Sequence, residues 1–101
     1  MTQKELIALI QTIFEPLQAA GFATDLERFA AVLGRLLEAN RVQSYEALEE
    51  LRDLLLVDFT ELPPEAGIGR DEWRETKVDF CRAAELYLDG KWQQHAPGTL
   101  H

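Results

Sequence analysis

Apolar residues recur every three or four positions in four stretches of this chain, and glycine, asparagine or a proline pair stands between them. That spacing is the 3.6-residue period of a helix, and it gives each stretch one face to bury against a core. Helices with one apolar face pack on one another. The sequence therefore predicts an all-α, compact four-helix domain over 1–90, with a long loop between helices 3 and 4 and a flexible C-terminal tail over 91–101. No stretch shows the period-two alternation of a strand flanked by turns.

The first stretch opens on Thr2 and Glu5, the spacing at which each side chain satisfies the other residue's backbone N–H. Leu6, Ile10, Ile13 and Leu17 follow at helical spacing, with Ile7 and Phe14 widening the stripe. Pro16 predicts a kink near the end and Gly21 a stop. Thr24 with Glu27 repeats the start signal, Leu26, Phe29, Ala30, Leu33, Leu36 and Leu37 form a buried face, and Asn40 is predicted as a left-handed stop. Gly34 in that face predicts close helix packing. Ser44 is predicted to cap the third helix, which sets Leu48, Leu51, Leu55 and Phe59 on one side and Glu46, Glu49, Glu50 and Asp53 almost opposite. A connection over 57–70, with Pro63-Pro64 and Gly67-Ile68-Gly69, is longer than the usual run of about 2–8 residues between bundle helices. The fourth helix is predicted over 71–89, burying Trp73, Phe80, Cys81, Ala84, Tyr87 and Leu88. Gly90 is its expected stop, and Trp92 is expected to pin the start of the tail.

Chemistry is hard to assemble from these residues. Cys81, His95 and His101 are too scattered for a zinc site. The loop acids Asp58, Glu61 and Glu65 lack the alternating oxygen ligands and central glycine of a calcium loop. Ser44, the only serine, reads as a cap and Cys81 as a small core residue, so neither is placed as a nucleophile. Gly67-Ile68-Gly69-Arg70 before a helix has the look of an anion-binding loop. It follows no strand, however, and Asp71 and Glu72 would repel a phosphate, so a loop ending in a helix cap is the expected role. The reading is of no catalytic residue, no cofactor and no metal: not an enzyme.

Charge narrows the remaining classes. Eighteen acids against 10 bases leave a net charge of −8, which disfavours nucleic acid and anionic membrane surfaces. No apolar run reaches the roughly 20 residues that span a bilayer. The N-terminus lacks the pattern of a secretory signal, and a single cysteine allows no intrachain disulfide. The expected location is the cytoplasm. Residues 42–79 hold 11 acids and 4 bases, nearly the whole charge imbalance. Glu46–Glu50 and Glu49–Asp53 are like-charge pairs at i,i+4, each costing a few tenths of a kcal/mol. Arg52 alone offsets them on the third helix, whereas the fourth interleaves Arg74, Lys77 and Arg82 with its acids.

A stripe that costs stability points to a working surface of Tyr45, Glu46, Glu49, Glu50, Asp53, Asp58 and Glu61, and to a protein partner with a basic surface. In size, charge and helicity the chain resembles, as a type, the small acidic bacterial immunity proteins that neutralise toxins. That resemblance implies an antagonist-type protein-binding module. Two alternatives stand beside it. One is a structural or adaptor domain acting through homodimerisation on Leu54, Leu56, Val57, Val78 and Leu86. The other is a small enzyme, which would need a pocket of convergent polar groups that the periodicity does not provide.

Overall fold

The computed structural model of the chain describes residues 1–59 and 61–95. They form four helices, α1 (Gln3–Ala20), α2 (Ala23–Glu38), α3 (Arg41–Asp53) and α4 (Arg70–His95). A π-helical turn, Leu54–Asp58, continues α3, and one 3-10 turn, Pro64–Ala66, interrupts the connection to α4. The four-helix, strand-free reading holds among the described residues.

Thr2 caps α1 as its sequence predicts: its hydroxyl accepts from the Glu5 N–H at 3.1 Å while the Glu5 carboxylate accepts from the Thr2 N–H. At the other end Gly21 takes the left-handed conformation, φ 80°, that L side chains resist. Its N–H donates to the Gln18 carbonyl and the Phe22 N–H to that of Leu17, two bonds that close the helix and turn the chain sharply. That turn overrides the second start signal. With α2 beginning at Ala23, the N-cap is Phe22, whose carbonyl accepts from Leu26, and Thr24 makes no cap bond.

The start of α3 also differs from expectation. Asn40 is an extended N-cap rather than a left-handed stop, and its side chain accepts from the Gln43 N–H at 2.9 Å. The helix consequently starts a turn before Ser44. Ser44 is fully buried inside α3, where its hydroxyl donates to the Ala39 carbonyl at 3.2 Å. A side chain that small and internally satisfied fits where a larger polar group would not. Gly34 is likewise not a packing point: a Cβ there would meet nothing within 4 Å. Ala30 is exposed, so the buried face of α2 is narrower than expected.

Gly90 does not end α4, which runs on to His95. The reason is tertiary. The Lys91 ammonium donates to the Leu37 carbonyl at the end of α2, 3.0 Å away, and Trp92 packs against the core. Residues 91–95, expected in the tail, thus belong to α4, and the remainder of that expected tail, 96–101, lies outside the described residues.

Each helix packs against the next in sequence, and α4 returns to α1, closing a ring. Cross-links give the directions. Arg28 pairs with Asp58 and Arg35 with Glu50, Tyr45 bonds Asp89 and Arg52 pairs with Glu85, and Tyr87 reaches Gln3, so α2–α3, α3–α4 and α4–α1 all run antiparallel. The long connection therefore has no need to cross the bundle; it closes one end, with Pro64–Ala66 against α1. At the centre the ring of Phe29 meets those of Phe14 and Phe80 edge-on, each centroid 5.4 Å away. Such edge-to-face pairs add about 0.5–1.5 kcal/mol beyond the area they bury.

Candidate functional site: the outer ridge of helix 3

The geometry of α3 follows from its place between α2 and α4. Leu48 and Leu51 face the core, which leaves two shoulders, each beside a neighbouring helix, and an outer ridge between them. On the α2 shoulder Glu50 pairs with Arg35, and beyond it Asp58 accepts from Arg28 at 3.0 Å. On the α4 shoulder Arg52 donates to Glu85 at 2.5 Å, and the half-buried Tyr45 hydroxyl donates to Asp89 at 2.7 Å. Burial, then the bond to and charge of Asp89, push the Tyr45 phenol above its ordinary value. Tyr45 thus fastens the start of α3 to α4.

On the ridge stand Val42, Glu46, Glu49 and Asp53, at the i, i+4, i+7, i+11 spacing of one helix face. All four are exposed. Glu46, Glu49 and Asp53 have no ion-pair partner among the described residues. Apolar groups stand at both ends: Val42 before the acids, and Leu56 and Val57 after them, 67%, 47% and 75% exposed. The π-turn produces that second group. Its Phe59 N–H donates to the Leu54 carbonyl five residues back, at 2.9 Å, widening the turn so that Leu54, Leu55 and Phe59 are buried while Leu56 and Val57 face out. Val42, Tyr45, Glu46 and Glu49 with Arg41 also line an open groove beside the ridge.

The seven predicted site residues therefore separate. Glu46, Glu49 and Asp53 share the ridge, and Tyr45 and Glu50 flank it, each committed to a neighbouring helix. Asp58 is tied to Arg28. Glu61 lies elsewhere, in the connection, where the Arg70 guanidinium at 2.5 Å holds its carboxyl below the usual carboxylate range. The stripe is also less uncompensated than its own sequence implies, because Arg28 and Arg35 come from α2, and no local spacing reveals them. Val42 was legible: it falls on the same face as the three acids.

Cys81 is not poised as a nucleophile. Burial pushes the Cys81 thiol up to about 11 despite Arg52 and Lys77 nearby, so it stays protonated at neutral pH. Among the described residues no three His, Cys, Asp or Glu side chains are grouped to hold a metal ion, and no helix is long and apolar enough to cross a membrane. The chain matches no protein-family model, no curated protein and no solved structure.

Proposed function

We propose that the protein is a non-enzymatic binding module that engages a basic protein surface through the outer ridge of α3. One observation carries this reading. Glu50, Asp58 and Glu61 are each engaged by an arginine of the chain, while Glu46, Glu49 and Asp53 are left together, exposed and mutually repelling. A basic partner would relieve that repulsion, and the field of an acidic protein would steer its approach. Val42, Leu56 and Val57 would supply the apolar contacts that charges alone lack. An antagonist that covers the basic site of another protein would use such a ridge, in the manner of the immunity proteins the chain resembles.

The experiment is a charge reversal with a matched control. Glu46→Lys, Glu49→Lys and Asp53→Lys together should abolish retention of the partner from a low-salt extract. Reversal of Glu72, Glu75 and Asp79, all exposed on α4, changes net charge equally and should leave retention intact. Equal retention by the wild type and the ridge variant refutes the proposal.

A further inference from the structure

The first three bases of α4 gather on one face although the sequence interleaves them with acids. At 100° per residue, Arg70, Arg74 and Lys77 (i, i+4, i+7) share one face, Glu72, Glu75 and Asp79 point away from it, and Asp71 stands at its edge, where its charge acts on Arg70. That basic face meets the connection from α3 and encloses a cavity of about 90 Å³ lined by Glu61, Leu62, Ile68, Gly69, Arg70, Trp73, Arg74 and Lys77. No acid of α4 lines it. The volume has room for several waters, and so for one tetrahedral oxyanion.

Among the described residues Glu61 is the only carboxylate in the cavity wall, and it is engaged by Arg70. Arg74 and Lys77 have no ion-pair partner among the described residues. Three cations against one carboxylate leave a surplus of two positive charges in a chain whose net charge is −8. Lys77 is held in place by Trp73, its ammonium 5.4 Å from the centre of that ring. Trp73 is 3% exposed, and its indole N–H is a buried donor with no acceptor among the described residues. Desolvation, then the like charge of Arg74, pull the Lys77 ammonium below its ordinary value, a cost that an anion would remove.

We infer that Arg70, Arg74 and Lys77 form a binding site for a phosphate dianion, free or carried as a monoester, in the cavity between α4 and the connection that precedes it. Charge sets the ligand class: a surplus of two matches a dianion better than a carboxylate, and guanidinium groups take phosphate oxygens in pairs. Glu61 acts as an internal competitor, because it occupies Arg70.

The test is a titration of the full chain with inorganic phosphate at constant ionic strength, at a pH where the ion is dianionic, followed by amide and indole NMR. Saturable shifts at Gly69, Arg70, Trp73, Arg74 and Lys77 are expected, with a Kd on the order of 1 mM. Arg74→Gln with Lys77→Gln should abolish them, while Arg82→Gln, which removes a positive charge from the acidic side of α4, should not. Glu61→Gln should tighten binding by about fivefold, since it frees Arg70. If the double variant does not fold, Arg74→Gln alone, at an exposed position, should weaken binding by at least about fivefold. A parallel titration with a phosphoserine tripeptide assigns the source: tighter binding than inorganic phosphate points to a monoester, weaker binding to the free ion. The inference is overturned by shifts that do not saturate up to about 20 mM, by shifts that survive in the double variant, by unchanged affinity in Arg74→Gln, or by equal loss in Arg82→Gln.

Discussion

Neutralising the ridge of α3 should make the protein more stable, an unusual direction for removing three surface charges at once. Glu46, Glu49 and Asp53 stand on one exposed line with no ion-pair partner among the described residues, so adjacent carboxylates repel. Two such neighbouring contacts, at a few tenths of a kcal/mol each, come to about 0.5–1 kcal/mol. Glu46→Gln, Glu49→Gln and Asp53→Asn together should raise the Tm by roughly 2–8 °C, taking the per-kcal shift of a domain this size. Thermal unfolding followed by circular dichroism at low salt reads the gain, and at about 1 M salt it should largely vanish, because the Debye length falls to about 3 Å. Glu50→Gln, one residue off the ridge, should move the other way by up to about 1 kcal/mol, since it gives up Arg35. A ridge variant that melts below the wild type at low salt would refute the reasoning, as would a gain that salt does not touch.

Three further outcomes follow from the fold. Phe29→Ala, which empties the site between the rings of Phe14 and Phe80, should cost about 3–5 kcal/mol by denaturant unfolding, and a loss under about 1 kcal/mol would show that the rings do not form the centre of the core. Gly34→Ala should stabilise by about 0.5–1 kcal/mol, because the residue is helical and an added methyl meets nothing; destabilisation would mean that something packs there after all. Cys81 has a folded value raised from 9.0 to about 11, so the unfolded chain loses its proton first and stability should fall as pH rises from about 9 towards 11; Cys81→Ala should remove that part of the pH dependence, and its persistence unchanged would sink the assignment.

Much of the helical pattern was legible because it is local. The apolar stripes of α3 and α4 end up buried as their spacing requires, Leu48, Leu51, Leu55 and Phe59 in one, Trp73, Phe80, Ala84, Tyr87 and Leu88 in the other. The cap at Thr2 and the stop at Gly21 involve residues three to five apart and were equally visible. Signals of the same kind failed where two competed. Asn40 and Ser44 both favour helix starts, and the earlier one captured the Gln43 N–H; Thr24 lost its role because the turn at Gly21 and Phe22 started α2 two residues too soon for it.

By itself the sequence determined that the chain is helical, how many helices it has, which faces they bury and where the acidic residues concentrate, since each depends on neighbours within about one turn. Only the tertiary structure decided which charges remain available. Arg28 and Arg35 of α2 quench Asp58 and Glu50, Glu85 takes Arg52, and what is left of the acidic face is Glu46, Glu49 and Asp53. The same holds for Lys91, whose bond to Leu37 carries α4 past Gly90, and for Arg74 and Lys77, which become a basic cavity wall when the connection folds over them. Those pairings join residues from 15 to 54 positions apart, and helix packing, rather than local spacing, brings them within a few ångströms.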